Sequence, residues 1–250
     1  MTIEILAVKD RFNVASGITR PYLCEASNGK TYVVKTKLSL TPKHIIAEYV
    51  AACLAKTLGL PIPSFEIVYI PDFIAKSVRP EWRDGISEGV AFAIEYIEDA
   101  SVVKFQQAYQ YCSLPLQKEI YLFDLWINNS DRTLSDKDTG NVNLLFSRSL
   151  KKLFLIDHNL AFDSNLSDTQ FTHHIFSRVN RSKTNANWSF DLVDRPYLQD
   201  KFSEAIQCID EVFSEIPEEW QPSDDYDSYL ESIRNILNRI LTNEFWKNIV

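Results

Sequence analysis

Residues 129–157, NSDRTLSDKDTGNVNLLFSRSLKKLFLID, are the segment of the sequence that is most informative about the fold. An acid, Asp131, stands on a polar stretch after a helical pattern. An amide, Asn141, precedes two short apolar runs, and a second acid, Asp157, follows them. Such runs are typical of a short β-hairpin, whose ends lie side by side. The sequence therefore predicts that these three polar side chains converge on one point.

These three side chains have the chemistry of a site for a magnesium–nucleotide complex. Carboxylate and amide oxygens are the hard ligands that Mg²⁺ prefers, and phosphoryl transfer also needs a carboxylate that orients the attacking hydroxyl. In this interpretation Asp131 orients the acceptor hydroxyl and accepts its proton, while Asn141 and Asp157 ligate Mg²⁺. Asn143 is a weaker alternative to Asn141. The pattern predicts an ATP- and Mg²⁺-dependent phosphotransferase.

A cation for the phosphates of ATP is predicted earlier in the chain. Lys35 ends a predicted strand, and Glu48 lies inside the helix that follows. In this arrangement a helix glutamate can hold a strand lysine on the phosphates. A strand lysine and a helix glutamate alone usually belong to a solvated face, so this assignment depends on residues 129–157.

Composition excludes several classes of function. The chain has 250 residues, 45% of them hydrophobic, which is enough for one sizeable core or two lobes. A net charge of -8 provides no broad surface for neutralising phosphates, so direct nucleic-acid binding is not expected. The cysteines lack the spacing of a zinc site or a disulfide framework. No apolar run approaches the ~20 residues that span a bilayer and no export signal is present, so we expect a cytoplasmic protein without a membrane partner.

The amino-terminal third is predicted to be β-rich with one helix. β-Branched and aromatic residues flank Asn28-Gly29 in alternation, as in a hairpin. Thr41-Pro42 is a helix-start signal, and Gly59 and Pro61 end the helical pattern that follows. The predicted elements are the hairpin strands 22–26 and 31–35, the helix 42–58, and the strands 65–70 and 89–97.

Helices predominate in the rest of the chain. One face of a predicted helix is shared by Leu116, Ile120, Phe123, Asp124 and Ile127. The stretch 163–187 is rich in Ser, Thr and Asn and has little periodicity, so we predict a long surface loop there. The other predicted elements are the hairpin strands 144–146 and 153–156 and two apolar helical stripes over 202–213 and 229–240.

These residues resemble a known family, the HipA-like kinases, and especially its short single-module members. The family is a branch of the protein-kinase-like fold related to phosphoinositide kinases. Each matching piece is a weak signal alone, but the pieces follow the family's order over most of the chain. They are Gly17-Ile18-Thr19-Arg20-Pro21 with Tyr32-Val33-Val34-Lys35; Glu48-Tyr49 with Leu58-Gly59-Leu60-Pro61-Ile62-Pro63; Asn129 to Arg132 with Asn141 to Leu145; Ile156-Asp157; and Ile216-Pro217-Glu218-Glu219-Trp220.

The resemblance implies an α+β, two-lobed protein-kinase-like fold. It implies a small β-rich lobe over residues 1–97, a mainly helical lobe over residues 98–250, and ATP between them. The predicted loop 163–187 takes the place of an activation segment. The whole chain is then one HipA-like kinase module.

The resemblance also implies roles for individual residues. Lys35 contacts the phosphates of ATP, Glu48 supports Lys35, and Asp131 is the catalytic acid. Magnesium ligands are Asn141 and Asp157. Backbone contacts to ATP are implied for Ser16 and Gly17, in a phosphate-covering loop, and for Glu95, Tyr96 and Ile97, in a linker whose peptide groups pair with adenine.

The chain departs from related kinases in two ways. It has no Gly-x-Gly-x-x-Gly, His-Arg-Asp or Asp-Phe-Gly motif, so it is not an ordinary eukaryotic-type kinase. Residues 134–138 are inserted between the acid and the amide, either as a surface excursion or as part of a remodelled catalytic loop. An antitoxin-type partner is implied by the family resemblance only, since no residue of this chain specifies one.

We expect transfer of the ATP γ-phosphate to a serine or threonine hydroxyl of a protein. A lipid or small-molecule kinase is one alternative, and it predicts basic residues in the long loop, where only Arg178, Arg181 and Lys183 occur. A nucleotide-binding pseudokinase that acts as a regulator or scaffold is another, because the insertion interrupts the motif. No histidine is assigned chemistry: His158 is predicted to pack or order its loop, and His173-His174 to be a solvated pair.

Overall fold

The computed structural model describes residues 2–12, 19–166, 168–186, 188–191, 193–222, 224–247 and 249, and it contains two compact units. The first unit comprises Met1–Tyr49, Pro63–Glu98 and Ile216–Asp224, and the second comprises Val50–Ile62, Asp99–Glu215 and Asp225–Val250. The division after Glu98 lies next to the boundary predicted at residue 97. Two segments depart from the predicted lobes. Val50–Ile62, expected in the amino-terminal lobe, belongs to the second unit, and Ile216–Asp224, expected in the helical lobe, belongs to the first.

The first unit is built on a sheet of five strands: β1 (Ile3–Arg11), β2 (Tyr22–Ala26), β3 (Thr31–Lys35), β4 (Phe65–Ile70) and β5 (Gly89–Glu95). They form a closed barrel in the order β1-β2-β3-β5-β4. Neighbouring strands are antiparallel, except that β1 and β4 are parallel. Buried apolar side chains from every strand pack together, among them Tyr22, Val34 and Val68.

Strands β2 and β3 form the predicted hairpin, with Tyr22 opposite Val34 and Glu25 opposite Thr31. Gly29 makes the turn possible, because its φ of 76° lies in the left-handed region that glycine adopts without steric cost. The strands predicted at 65–70 and 89–97 are confirmed as β4 and β5, although β5 ends at Glu95.

The sequence pattern does not predict strand β1. Its pairing with β2 shifts register between Ile5 and Ala7 and again between Val8 and Asp10. Such bulges break the alternation of inward and outward side chains. Ile5 is the one fully buried residue of the strand. A strand with a single buried side chain and an interrupted alternation carries no period-two signal.

Helix α1 spans Pro42–Thr57 and confirms the predicted helix. Proline suits its first position, where the missing N–H has no partner to lose. The helix ends where the N–H of Leu60 donates to the carbonyl oxygen of Ala55 at 2.9 Å, with Gly59 at a φ of 70°. The first unit also contains helix α2 (Asp72–Ser77) and the 3₁₀ turns Pro80–Gly85 and Glu218–Trp220.

A three-stranded antiparallel sheet belongs to the second unit and consists of β6 (Ala100–Val102), β7 (Leu144–Ser147) and β8 (Lys152–Leu155). Strands β7 and β8 confirm the hairpin predicted from residues 144–156. Strand β6 pairs Ser101 with Phe146. Its three residues are too few for a pattern, so it could not be predicted.

Helix α4 of the second unit confirms the predicted helix and packs against α6 and α8. Trp126 of α4 is completely buried, packs its ring 4.9 Å from that of Phe202, and donates its indole N–H to the carbonyl oxygen of Leu237 at 2.8 Å. Across the described residues, no helix of either unit is long and apolar enough to cross a membrane. The helices are α3 (Phe105–Tyr111), α4 (Leu114–Trp126), α5 (Arg178–Arg181), α6 (Asp194–Ile206), α7 (Ile209–Ser214), α8 (Tyr226–Asn238) and α9 (Asn243–Lys247).

The prediction of a surface loop at 163–187 is wrong for the middle of that segment. It contains a 3₁₀ turn, Asp168–His173, and helix α5. Its buried residues include Phe171, His174, Ile175, Phe176, Ser177, Asn180 and Arg181. Four of them, His174, Ser177, Asn180 and Arg181, are polar, and a pattern of apolar residues does not predict the burial of polar side chains.

Candidate active site

Lys35 and Glu48 form a buried ion pair within the first unit. Lys35 is the last residue of β3, and its Nζ lies 3.0 Å from the Oε2 of Glu48 in α1. The two residues are 4% and 1% exposed. Burying either charge without a partner would be costly, because a low-dielectric interior cannot replace water. The strand lysine and helix glutamate predicted from the sequence are therefore in contact.

The predicted adenine linker, Glu95 to Ile97, begins at the last residue of β5. The N–H of Glu95 donates to the carbonyl oxygen of Ser64 at 2.7 Å, and that of Tyr96 to the carbonyl oxygen of Thr31 at 2.9 Å. Both N–H groups are thus used inside the first unit. An adenine ring would have to pair with other peptide groups of the linker. Ser16 and Gly17, the predicted phosphate-covering positions, lie outside the described residues.

Asp131 lies in the loop 129–133, named the Asp131 loop here, within the second unit. The side-chain amide of Asn141 donates to its Oδ2 at 2.6 Å, and the amide of Asn143 donates to the same oxygen at 3.0 Å. Both amides fix the direction of the carboxylate. Asn143, the weaker alternative in the sequence, therefore contacts Asp131 as well, although at a longer distance than Asn141.

The inserted residues 134–138 turn away from the Asp131 loop. The N–H of Thr133 donates to the carbonyl oxygen of Asn141 at 2.8 Å, and the N–H of Ser135 donates to that of Thr139 at 2.8 Å. These bonds close the insertion at its base. Gly140 has a φ of 133°, and a Cβ at this position would lie 2.6 Å from the carbonyl oxygen of Thr133, so only glycine fits. The insertion is a surface excursion, and the acid and the amide meet across its base.

Asp157 follows β8 and lies beside the Asn143 amide. The N–H of Ile156 donates to the carbonyl oxygen of Asn143 at 3.1 Å, and the Asn143 amide lies 3.4 Å from the carbonyl oxygen of Asp157. Asp157 has a φ of 60°, a left-handed conformation that aspartate tolerates better than most residues. The hairpin thus brings its two ends together, as predicted.

The two carboxylates of this cluster act on each other electrostatically. Burial raises the pKa of Asp131 above its usual value, and the negative charge of Asp157 adds to the increase. Hydrogen bonds from Asn143 and Asn141 act in the opposite direction. Like charges that share a site make each other easier to protonate. A cation between them would relieve this repulsion.

The donor set fits Mg²⁺ that arrives with a nucleotide. Mg²⁺ usually binds through one or two carboxylates and keeps its other positions for water and substrate phosphates. Asp157 offers a carboxylate, and Asn141 and Asn143 offer amide oxygens. Within the described residues, no three His, Cys, Asp or Glu side chains are grouped so that they could hold a metal ion by themselves. The protein groups available here suit a metal whose other ligands come from a phosphate chain.

A buried polar cluster that the sequence did not predict lies behind the Asp131 loop. Asp124 of α4 accepts a hydrogen bond from Arg132 Nε at 2.7 Å, from His174 Nε2 at 2.9 Å and from the Asn129 amide at 2.8 Å. Burial alone would raise the pKa of Asp124, but the charge of Arg132 and the bond from His174 hold it well below its usual value. Asp124 remains a buried anion that holds the Asp131 loop from behind.

The sequence held a partial signal for this cluster. Asp124 stood on the apolar face predicted for α4, and a carboxylate among buried positions needs a partner. The prediction for His158 is confirmed, because this residue is buried and accepts a hydrogen bond from Arg132 at 3.0 Å. The prediction of a solvated His173-His174 pair is wrong for His174, which is completely buried. His173 is exposed.

Lysine–glutamate pairs and acid–amide clusters of this kind serve phosphoryl transfer in the protein-kinase-like class of enzymes. The chain belongs to the HipA-like kinase family, whose model matches residues 5–249. The resemblance found in the motifs is therefore confirmed over nearly the whole chain. The protein is a kinase.

Solved structures show the fold. The crystal structure of CtkA, a proinflammatory kinase of Helicobacter pylori, has 12% sequence identity and a TM-score of 0.51, and the match covers 99% of this chain and 97% of that one. The Golgi casein kinase, in a crystal structure with Mn and ADP bound, has 12% identity and a TM-score of 0.44 over 96% of this chain and 72% of that one. Among curated proteins, no sequence matches this chain. The likeness to CtkA shows a shared kinase fold of mixed strands and helices.

Proposed function

We propose that the protein is an ATP- and Mg²⁺-dependent serine/threonine protein kinase, which transfers the γ-phosphate of ATP to a protein hydroxyl. Family membership supports phosphotransfer in general. The observation that carries the proposal further is the geometry at Asp131, whose Oδ2 accepts from two side-chain amides at 2.6 and 3.0 Å. A carboxylate held in this way has a fixed direction for its other oxygen.

Asp131 is the group that handles the proton. In the proposed reaction the acceptor hydroxyl donates to Asp131 while its oxygen bonds to the γ-phosphorus. The bond from that phosphorus to the β,γ-bridging oxygen breaks, ADP leaves, and the hydroxyl proton moves to the Asp131 carboxylate. A base whose pKa lies above the ordinary aspartate value accepts a proton more readily.

The other charged groups bind ATP in the proposal. Asp157 and one of the amides of Asn141 and Asn143 hold Mg²⁺, which would neutralise charge on the phosphates. Lys35 supplies the cation for the phosphate chain, and Glu48 keeps its ammonium group in place through their 3.0 Å ion pair. Positioned charges of this kind provide most of the catalysis in phosphoryl transfer.

Basic residues of the 163–187 segment favour a protein substrate over a phospholipid. Arg181 is buried, with its guanidinium 3.6 Å from the centre of the Trp188 ring. Lys183 is paired with Asp136 at 3.1 Å. A lipid headgroup would need several accessible cations at one place; Arg181 and Lys183 already have protein partners, and the exposed Arg178 is a single cation.

The test compares the wild type with Asp131→Asn, which keeps the size of the side chain and removes the base. Each is induced in cells, and phosphopeptides are quantified by mass spectrometry. We expect phosphoserine and phosphothreonine peptides in the wild type that are absent with Asp131→Asn, and a drop of about 10²–10⁴ in the rate of transfer by the purified variant. Asp136→Asn, on the exposed insertion, is the matched control and should behave as the wild type does.

Different outcomes contradict the proposal in different ways. Wild-type protein that is stabilised by Mg²⁺ and ATP but transfers phosphate to nothing would be a nucleotide-binding scaffold. Labelled phosphate that appears in the lipid fraction and not in protein would identify a lipid kinase. Equal transfer by the wild type and Asp131→Asn would remove Asp131 from the reaction.

A further inference from the structure

The buried cluster behind the Asp131 loop joins parts of the second unit that are distant in sequence. Asp124 belongs to α4, Arg132 to the Asp131 loop, and His174 to the 163–187 segment. All three side chains are completely buried. A buried carboxylate needs donors on each oxygen, since unmet hydrogen-bonding capacity in the interior is costly. Here those donors come from separate segments.

Arg132 connects this cluster to the groups that face the reaction. Its Nε donates to Asp124 at 2.7 Å, and its Nη1 donates to the carbonyl oxygen of Asn143 and lies 3.5 Å from that of Ile156. Asn143 contacts Asp131 directly, and Ile156 precedes Asp157. A guanidinium is planar, so fixing one edge of it fixes the directions of its other N–H groups. The position of Arg132 thus sets the position of both ends of the hairpin.

His174 is a second donor to Asp124. The N–H of Phe176 donates to His174 Nδ1 at 3.1 Å, which leaves Nε2 as the protonated nitrogen. Nε2 donates to Asp124 Oδ2 at 2.9 Å, and this is the oxygen that also accepts from Arg132 Nε. Burial lowers the pKa of His174, against the raising effect of Asp124, so the ring is neutral. A neutral ring adds a donor without adding a second positive charge beside Arg132.

The backbone around His174 is fastened to the Asp131 loop as well. The N–H of Ile175 donates to the carbonyl oxygen of Arg132 at 3.0 Å. The amide of Asn180 donates to the carbonyl oxygen of Leu134 at 2.9 Å, and Tyr109 donates to that of Ile175 at 2.6 Å. These bonds hold the segment in place, so the imidazole is presented to Asp124 in one orientation.

We infer that His174 is a positioning residue of the phosphotransfer reaction, acting through Asp124 and Arg132 on Asn143 and Asp157. The inference rests on the proposed function. His174 touches neither the acceptor nor the nucleotide in this account. Its Nε2–H group completes the shell of donors around Asp124, which keeps Arg132 in the orientation that aligns the hairpin ends. Removing the donor lets the Arg132 guanidinium shift, and the metal-binding groups shift with it.

The experiment removes the donor and then restores it. His174→Leu has no donor, whereas His174→Gln offers a side-chain N–H of similar reach. His173→Leu, at the exposed neighbouring position, is the matched control. ADP formation is measured with the purified full chain while ATP and Mg²⁺ are varied, with dephosphorylated casein as the acceptor. Thermal unfolding of each variant is recorded in parallel.

We expect His174→Leu to lower kcat about 10- to 100-fold and to raise the half-saturating Mg²⁺ concentration about tenfold, the usual effect of losing a residue that orients metal ligands. KM for ATP should change less than about threefold, because uniform ATP binding is retained. His174→Gln should recover both values to within about threefold, and His173→Leu should match the wild type. A residue with a purely structural role would not change the Mg²⁺ dependence in a folded variant.

Each remaining outcome decides the matter. A folded His174→Leu variant with wild-type kcat and Mg²⁺ dependence overturns the inference. If His174→Leu does not fold, the decision passes to His174→Gln, and a tenfold loss in that variant overturns it, because the restored donor should suffice. NMR of the imidazole nitrogens in the wild type must show the neutral Nε2–H form, and the Nδ1–H form would also overturn the inference. If the wild type and Asp131→Asn form no ADP alike, the proposed function itself has failed, which is a distinct result.

Discussion

Each unit of the protein contains a buried ion pair: the first joins a strand to a helix, and the second belongs to a network that joins four chain segments. In the first unit Lys35 and Glu48 link one strand to one helix across 3.0 Å. In the second unit Asp124 and Arg132 meet across 2.7 Å, and each makes further bonds, so that α4, the Asp131 loop, the β7–β8 hairpin and the 163–187 segment are held together. In the first pair, Glu48 holds the ammonium group of Lys35 in place. The second sets the relative positions of several chain segments.

The loss of stability that follows when a buried ion pair is broken therefore depends on which other groups its two residues bond. A buried ion pair often adds little net stability, because desolvation offsets the attraction, but the loss of one partner leaves an unpaired charge. In a network the same loss also frees the other bonded groups. We therefore expect the loss of Arg132 to lower stability more than the loss of Lys35 does, and the loss of Lys35 to act mainly on activity.

The largest effect on stability is expected for Arg132→Met. The substitution leaves Asp124 charged and buried and releases the carbonyl oxygens of Asn143 and Ile156, so we expect a loss of about 3–5 kcal/mol in the free energy of unfolding. Urea denaturation followed by circular dichroism measures it. Arg148→Met, at an exposed position in the β7–β8 turn, is the control and should change stability by less than about 0.5 kcal/mol. A loss below about 1 kcal/mol for Arg132→Met would show that the cluster does not hold these segments.

Lys35→Met should lower kcat/KM for ATP by about 10²–10³, the usual result of removing one charge that stabilises the transition state. The matched control is Lys37→Met, because Lys37 lies two residues away in a half-exposed ion pair with Glu219. Surface pairs of this kind contribute little, so this variant should keep wild-type kinetics. The comparison between the two pairs fails if Lys35→Met loses stability as Arg132→Met does while its kinetics stay unchanged.

A smaller effect is expected for Asp138→Ala in the insertion. Asp138 Oδ1 accepts from the N–H of Phe105 at 2.7 Å, at the first residue of α3, and Asp138 has a φ of 56°. Losing this cap and placing alanine in a left-handed conformation should together cost about 1–2 kcal/mol. Asp138→Asn, which keeps an acceptor and tolerates the backbone, should cost less. Thermal unfolding and kcat are measured, and a loss of activity in the folded Asp138→Ala variant would mean that the insertion takes part in the chemistry.

The smallest effect concerns pH. Because burial lowers the pKa of His174, the unfolded chain takes up a proton near pH 6.5 that the folded protein does not. Stability therefore falls as pH decreases below about 6.5, and this residue accounts for at most about 1 kcal/mol between pH 7 and 5.5. Asp124, whose pKa is lowered, stays ionised throughout this window and adds no slope.

His174→Gln should flatten this part of the profile. The measurement is urea denaturation of the wild type and the variant at several pH values. His173→Gln, at the exposed neighbouring position, should leave the slope as it is in the wild type. Parallel profiles for the wild type and His174→Gln would show that His174 is protonated equally in both states, contrary to its burial.

The local helices and strands, and the order of the polar residues of the site along the chain, could be predicted from the sequence. Asn28-Gly29 specified the β2–β3 hairpin because few residues adopt the turn that glycine permits. Pro42 and Gly59 marked the ends of α1 for similar backbone reasons. The order of the matching motifs, those with Asp131, Asn141 and Asp157 among them, indicated the family, since the chemistry of phosphoryl transfer restricts which residue types can stand there.

The contacts that position those groups became evident only in the three-dimensional structure. The bond between His174 and Asp124 and the contact between Asn143 and Asp131 join residues that are not related by a regular spacing. A periodic pattern in the sequence therefore predicts neither these contacts nor the burial of His174. Strand β1 was not predicted because its bulges break the alternation of inward and outward side chains that is typical of a strand. The inserted residues 134–138 could be judged only once the bonds at their base were seen, because a loop's path depends on which distant partners meet its ends.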